Sequence, residues 1–203
     1  MLIRVPRIVK RLYPSFIWKI PVNDKRMFLT FDDGPSPVVT PKVLDLLDKY
    51  NAKATFFCLG KNVELYPEIY QEIIKRGHKV GNHTYSHQQG WHMENNLYIR
   101  DVDIAAELIK SNLFRPPYAK IKPSQAKLID DKYFTIMWSI LSRDYNRKLS
   151  AKQCARNVIK YFFPGAIIVF HDSEKCWKNL SYALPITLEM MTRAGYVSDS
   201  IRY

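Results

Sequence analysis

The chain has 203 residues, of which 47% are hydrophobic and 25% charged, and this suits one globular domain with a sizeable core. Its net charge of +12 favours anionic partners, but the basic residues are scattered and not clustered with aromatic side chains, so we expect no nucleic-acid partner. The three cysteines include no C-x-x-C pair, which argues against a disulfide framework and a thiolate zinc site.

Residues 1–26 are predicted to form a basic N-terminal extension, separate from a domain spanning residues 27–203. The extension has a single acid, Asp24, and Pro6 and Pro14 interrupt any helix. It lacks the apolar core of a secretory signal, and the sequence has no apolar run long enough to span a membrane. We therefore expect a cytoplasmic or peripherally membrane-associated protein, whose extension packs on the domain or associates with an anionic membrane. The sequence leaves the oligomeric state open.

From residue 27 onward, short apolar runs alternate with amphipathic segments. The strands are predicted at 27–31, 54–59, 78–82, 113–115, 133–139, 166–170 and after residue 196. The helices are predicted at 40–50, 62–76, 96–110, 123–131, after a capping box at 150–153, and at 180–194. Thr40 is the expected N-cap of the first helix, and Gly77 is expected to end the second. This alternation predicts an α/β fold of mostly parallel strands, either a doubly wound sheet or a barrel, closed or incomplete.

Unusual polar residues follow the predicted strands at five places, namely Asp32-Asp33, His83 to His87, Arg115 to Tyr118, Ser142 to Tyr145 and His171-Asp172. In parallel α/β folds the carboxyl ends of the strands form the face where catalytic groups meet. Adjacent residues of a strand point to opposite sides, so Asp32 and Asp33 are predicted to divide the work, one on a metal and the other free as a base.

His83 and His87 stand four residues apart, a spacing that places both imidazoles on one side of a helical turn. Such a pair offers two nitrogens to one metal ion, and a carboxylate would complete a three-ligand site of the catalytic type. His78 and His92 lack a partner at this spacing and are predicted to have no role at the site.

Four of these stretches occur in the same order as in a known family. They are Thr30 to Ser36 (TFDDGPS), His83 to His87 (HTYSH), Arg115 to Tyr118 (RPPY) and Ile168 to Asp172 (IVFHD). With them the chain resembles the NodB-like polysaccharide deacetylases, carbohydrate esterase family four, over about residues 27–200. The resemblance implies a distorted, incomplete (β/α)7-type barrel and metal-dependent removal of N-acetyl groups from a carbohydrate substrate, usually an amino-sugar polymer such as peptidoglycan or chitin.

The resemblance also implies roles for individual residues. Asp33, His83 and His87 match the ligands of a divalent metal, typically zinc. Asp32 matches the general base, and Arg115 matches the residue that holds this base by an ion pair.

The resemblance further implies which residues protonate the leaving group and contact the substrate. His171 matches the general acid, and Asp144 matches the carboxylate that pairs with it. The backbone N–H of Tyr118 resembles the oxyanion donor, Val169 stands where an apolar residue lines the acetyl pocket, and Tyr145 stands where a tryptophan usually walls the sugar site.

Three positions depart from the family pattern: Ala119 replaces a glycine, Leu141 replaces an aspartate, and Tyr145 replaces the tryptophan. If position 119 needs a positive φ, alanine is strained there. Two alternatives to a polymer deacetylase stay open. One is a related amidohydrolase acting on an intracellular glycan precursor or small amide, and the other is a non-catalytic carbohydrate- or anion-binding protein.

Overall fold

The structure is a computed structural model that describes residues 11–203, so any prediction for residues 1–10 lies outside the described residues. The strands are β1 (Arg26–Asp32), β2 (Ala54–Cys58), β3 (Lys79–Asn82), β4 (Leu113–Phe114), β5 (Phe134–Thr135), β6 (Ile140–Leu141), β7 (Ile167–His171) and β8 (Val197–Ser198). The α-helices that follow β1 are α1 (Thr40–Lys49), α2 (Gly60–Leu65), α3 (Pro67–Lys75), α4 (Asn95–Leu108), α5 (Pro123–Asp130), α6 (Ala151–Ile159) and α7 (Trp177–Arg193).

The strands form one curled parallel sheet in the order β5-β4-β3-β2-β1-β7-β6, and β8 pairs with the start of β1. The two edge strands, β5 and β6, are separated in the chain only by residues 136–139, so the sheet curls until its edges approach each other. At this opening Ile17 pairs with Ile136, and Lys19 pairs with Ala166. The prediction of an incomplete barrel of parallel strands is therefore confirmed.

The side chains of the central strands alternate between two apolar layers, as the two-residue period of a strand requires. In β1, Met27, Leu29 and Phe31 pack with the helices, whereas Phe28 belongs to a second cluster inside the curled sheet. The same alternation gives the interior Thr30 and Asp32. These two polar side chains thus lie on the face of β1 that looks into the barrel.

Two predicted elements are wrong in extent. The helix predicted at 62–76 is two helices, α2 and α3, because Pro67 begins a new helix and Tyr66 before it has a non-helical φ of −134°. The strand predicted at 133–139 is too long, because only β5 falls inside it, where it pairs with β4. The chain then crosses the barrel opening, and the strand that pairs with β7, β6, begins only at Ile140.

The predicted helix boundaries differ in accuracy. Gly77 follows α3 with a φ of +79°, and the Ser150 side chain caps α6 in a capping box with Gln153, so both predictions are confirmed. Thr40 is not the N-cap of α1, because the helix already includes it and Val39 precedes it. The Thr40 hydroxyl donates instead to Asp172 Oδ2 at 2.6 Å.

The described part of the N-terminal segment packs on the barrel. Phe16 and Trp18 are buried with the interior cluster, and the Ser139 hydroxyl donates to the Trp18 carbonyl oxygen. The division at residue 26 stays a prediction. In the described range, 11–203, we find no helix with the length and apolar character needed to cross a bilayer.

Candidate active site

A cavity of about 320 Å³ opens at the carboxyl ends of the strands. Eight of the ten predicted site residues line it, namely Asp32, Asp33, His83, His87, Tyr118, Tyr145, Val169 and His171. The other two, Arg115 and Asp144, lie behind this wall and bond to residues in it. The structure therefore brings together all the residues singled out from the sequence.

The two histidines His83 and His87 lie close together, but the backbone between them differs from the predicted conformation. Residues 83–87 form no helical turn, and Thr84 and His87 have positive φ values of 66° and 62°. Two local hydrogen bonds stabilise the loop: Thr84 N donates to Asn82 Oδ1, and His87 N donates to Thr84 Oγ1. The two imidazole centroids nevertheless lie 5.2 Å apart. The prediction of convergence is confirmed, and that of a helical turn is wrong.

Asp33 joins the two imidazoles in a compact group of ligand atoms, all within 4.8 Å of one another. Its Oδ1 lies 3.1 Å from His87 Nε2 and 3.8 Å from His83 Nε2. His83 Nδ1 lies 2.7 Å from the Arg115 carbonyl oxygen, so it carries the proton and leaves the Nε2 lone pair directed at the group. Two nitrogens and one carboxylate oxygen with an open side fit a catalytic divalent-metal site.

Burial disfavours the charged form of both His83 and Asp33, but only His83 becomes neutral. It lowers the pKa of His83 to about 4, so that the ring is neutral and able to act as a ligand. Burial also opposes the charge of Asp33, but the hydrogen bond with His87 and the nearby charge of His171 hold its pKa well below the ordinary value. His83 and Asp33 are therefore in the protonation states that a metal requires of its ligands.

The second oxygen of Asp33 has a different partner, which the sequence did not indicate. Lys175 Nζ donates to Asp33 Oδ2 at 2.8 Å, and the half-exposed lysine side chain lines the cavity. It comes from the short turn after β7, four residues beyond His171. No motif marks this lysine, because only the fold brings the turn against the end of β1.

Asp32 is held by a buried arginine. Arg115 Nη1 donates to Asp32 Oδ1 at 2.6 Å and to Thr30 Oγ1 at 2.8 Å, while its other nitrogens donate to the carbonyl oxygens of Ile136 and Met137. The arginine is fully buried and Asp32 is 4% exposed. Each guanidinium nitrogen thus has a partner, which is the condition for keeping a charged pair in the interior. The sequence did not single out Thr30.

His171 and Asp144 form the second charged pair. His171 Nδ1 donates to Asp144 Oδ1 at 2.7 Å, and the His171 backbone N–H donates to Oδ2 at 2.8 Å. Burial opposes the imidazolium charge, but the carboxylates, Asp144 above all, raise the pKa of His171 to about 9. The bond at Nδ1 leaves the Nε2–H free to donate into the cavity.

A second group of potential ligand atoms, Asp144, His171 and Cys176, lies beside the first. This group fits a metal poorly. The raised pKa keeps the His171 ring protonated, and burial raises the pKa of the Cys176 thiol, so neither residue presents the lone pair that a metal needs. The metal-type donors are therefore those of Asp33, His83 and His87.

The three departures from the family pattern all lie at the cavity wall. Tyr118 and Ala119 have φ values of 59° and 57°, so position 119 does require a positive φ and its alanine is strained. Leu141 adds an apolar surface beside Val169. Tyr145 packs edge-on against His171 with the two ring centroids 5.2 Å apart.

Comparison with known proteins agrees with this architecture. Residues 19–135 match the family model described as polysaccharide deacetylase. The chain therefore belongs to the polysaccharide deacetylase family, and the predicted class, a hydrolase acting on linear amide bonds, is confirmed at this level.

Three relatives are informative. Two different proteins from Bacillus cereus, both described as peptidoglycan-N-acetylglucosamine deacetylases, are 38% identical over 78% of this chain and 32% identical over 96% of it. The chain spans 60% of the first and 97% of the second. Among solved structures, the Bc1960 peptidoglycan N-acetylglucosamine deacetylase in complex with 4-naphthalen-1-yl-N-oxidanyl-benzamide superposes with a TM-score of 0.86. It is 31% identical, with 97% of this chain and 94% of that chain covered.

Proposed function

We propose that the protein is a metal-dependent deacetylase that hydrolyses N-acetyl groups on the amino sugars of peptidoglycan. The observation that carries the proposal is the meeting of three separate devices around one cavity: a metal-type donor set, a carboxylate held by a buried arginine, and a histidine paired with a carboxylate. The names of the two Bacillus cereus relatives support peptidoglycan as the substrate.

The donor set suits zinc. Two imidazole nitrogens and one carboxylate oxygen, from His83, His87 and Asp33, are the ligands of many catalytic zinc sites, and the open side faces the cavity. When bound there, a divalent cation would polarise the amide carbonyl and lower the pKa of a water molecule.

The chain's own residues then handle the protons. We assign Asp32 as the general base that accepts a proton from the attacking water, with Arg115 fixing the orientation of its carboxylate. The backbone N–H of Tyr118 is assigned to the carbonyl oxygen, where negative charge develops as water attacks.

His171 is assigned as the general acid. Its Nε2–H protonates the amine that leaves when the amide bond breaks, while Asp144 keeps the ring charged and oriented through Nδ1. Val169, Leu141 and Tyr145 surround the space beside this nitrogen, where the methyl group of an acetyl would be sheltered from water. The products are acetate and a free amino sugar.

An acetate-release assay on purified protein tests the proposal. We expect zinc-loaded protein to release acetate from peptidoglycan and from chitooligosaccharides, and both a chelator and Asp32→Asn to abolish the release. Surface Asp103→Asn is the matched control, because this carboxylate forms an exposed ion pair with Lys132 and does not line the cavity. Turnover of a nucleotide- or lipid-linked sugar, with none on either polymer, would favour the alternative amidohydrolase. No release from any of these substrates would contradict catalysis.

A further inference from the structure

Trp91 is a large aromatic residue that the proposed chemistry does not use. Its side chain is 54% exposed, and it lies in the short helical turn Gly90–His92, four residues beyond His87 of the cavity wall. Single exposed apolar side chains are common on proteins, so exposure alone indicates nothing. The surroundings of this indole are what distinguish it.

The indole is fixed in place by the segment that also forms the cavity wall. Trp91 Nε1 donates to the Ile121 carbonyl oxygen at 3.0 Å, and Gly90 N donates to the Lys120 carbonyl oxygen at 2.9 Å. The fully buried Gln125 donates to the Gly90 carbonyl oxygen at 3.0 Å. A Cβ on Gly90 would stand 2.5 Å from Gln125 Oε1 and 2.8 Å from the Lys120 carbonyl oxygen, so the turn is packed as closely as glycine allows.

Polar groups border the exposed ring. Lys120 Nζ lies over the indole, 5.6 Å from its centroid, and also donates to Gln89 Oε1 at 3.0 Å. An aromatic ring with an ammonium over it and an amide beside that ammonium combines a flat apolar surface with nearby hydrogen-bonding groups. We call this surface, formed by Gln89, Trp91 and Lys120, the Trp91 shelf.

The shelf is carried by backbone that adjoins the cavity wall. Tyr118, which is 49% exposed, lines the cavity with its ring 4.6 Å from that of His87, and Lys120 follows it by two residues. Two residues of extended chain span at most about 7 Å, so the shelf begins within that distance of the cavity wall. The backbone that carries the shelf thus stands next to the cavity wall, where a neighbouring unit of a chain molecule held in the cavity would lie.

We propose that the Trp91 shelf binds a sugar ring of the same glycan chain whose acetylated residue occupies the cavity. This inference rests on the proposed function, since it needs a glycan substrate. The C–H face of a pyranose is flat and apolar and stacks on the indole, while its hydroxyl groups reach the amide of Gln89 and the ammonium of Lys120. The shelf would thus select longer chains over short ones.

Binding to the inactive Asp32→Asn variant tests this, with N-acetylglucosamine and chitohexaose as probes in titration calorimetry. We expect Trp91→Ala to weaken chitohexaose binding by about three- to tenfold, because a lost stacking contact has roughly this value, and to leave binding of the monosaccharide unchanged, because a single sugar in the cavity cannot also reach the shelf. Trp91→Phe, which keeps a flat ring, should retain most of the affinity. Tyr182→Ala removes a side chain that is 45% exposed on α7 and serves as the control.

The possible outcomes distinguish failure of the shelf proposal from failure of the proposed function. Equal weakening of both probes by Trp91→Ala, no weakening of either, failure of chitohexaose to bind the parent, or a Phe variant as weak as the Ala variant would each overturn the shelf. Failure of the proposed function has a different signature, namely wild-type protein that binds chitohexaose but releases no acetate from it. Thermal unfolding of each variant shows whether its fold is intact.

Discussion

The guanidinium of Arg115 lies 2.6 Å from Asp32 Oδ1, and both side chains are buried. The arginine stands at the end of β4 and the aspartate at the end of β1, with β3 and β2 between them in the sheet. Their bond therefore crosses the interior of the barrel. It fixes the carboxylate that we assign as the base and ties two distant strands together.

Replacement of Arg115 should affect both activity and stability. Arg115→Met leaves the Asp32 carboxylate buried without its partner, and breaking such a pair typically costs about 3–5 kcal/mol of unfolding free energy. Arg115→Lys keeps the charge but loses the fork that reaches Thr30, Ile136 and Met137, so we expect a folded protein with kcat lowered by about tenfold or more. Urea unfolding and acetate release measure the two effects. Arg193→Lys on the exposed surface is the control, and a fully active Arg115→Met would refute the role of the pair.

The pH profile should report on His171. Its raised pKa of about 9 keeps the acid protonated at neutral pH. The charge of a bound cation can only lower this pKa, so we expect activity to decrease as the pH rises toward about 9. Asp144→Asn removes the main cause of the raised pKa and should move this limb to lower pH by about one unit or more. Rate measurements from pH 5 to 10 test the shift. An alkaline limb at the same pH in Asp144→Asn and wild type would refute the assignment.

The same pair predicts a stability effect. His171 has a folded pKa above its unfolded value of about 6.5, so its ion pair with Asp144 contributes fully below that pH and is lost as the pH rises through about 9. The metal-free wild type should therefore lose stability over this interval relative to Asp144→Asn. Chemical unfolding of both proteins at several pH values measures the difference, and parallel curves would contradict the prediction.

Metal binding should stabilise the folded protein through His87. A metal that binds only the native state adds about 2.7 kcal/mol at a free concentration one hundred times its dissociation constant. We expect zinc to raise the thermal midpoint of the wild type, and His87→Ala to lose most of this increase. His92→Ala is the matched control, because His92 is exposed and lies outside the donor group. An equal increase in wild type and His87→Ala would show that zinc binds elsewhere.

Ala119 provides a test of backbone strain. An L-residue in the left-handed region is less stable than glycine, so Ala119→Gly should raise the unfolding free energy by up to about 1 kcal/mol. Ala155→Gly, at a buried position in the middle of α6, should lower it by about 1 kcal/mol or more, because helix propensity and a buried methyl group are both lost. Urea unfolding of the two variants compares the signs. A destabilising Ala119→Gly substitution would mean that the strain at this position is relieved in solution.

Much of the fold followed from local patterns. The apolar runs that became β1, β2 and β7 are bounded by turn residues, and Gly77 and the Ser150 capping box mark real helix ends. The predictions of strand extent failed where contacts between distant parts of the chain determine the structure. The strand predicted at 133–139 ends at Thr135 because the chain there leaves one edge of the sheet for the other, and no local pattern shows where those edges lie.

The candidate site likewise includes residues that sequence motifs indicate and residues that only the fold reveals. Residues in recognisable motifs, such as Asp33 and His87, could be placed from the sequence, although the loop that carries His87 is not the predicted helical turn. Lys175 and Trp91 belong to no motif. The first reaches Asp33 because β7 lies beside β1, and the turn that carries the second is hydrogen-bonded to Gln125, which is distant in the sequence.

Mass spectrometry of peptidoglycan fragments tests the central claim most directly. Purified sacculi would be incubated with zinc-loaded wild-type protein or with Asp32→Asn, digested with a muramidase, and analysed for muropeptides that have lost an acetyl group. We predict deacetylated amino sugars after treatment with the wild type and none after treatment with Asp32→Asn. Identical fragment patterns in the two digests would contradict the assignment of this site as a peptidoglycan deacetylase.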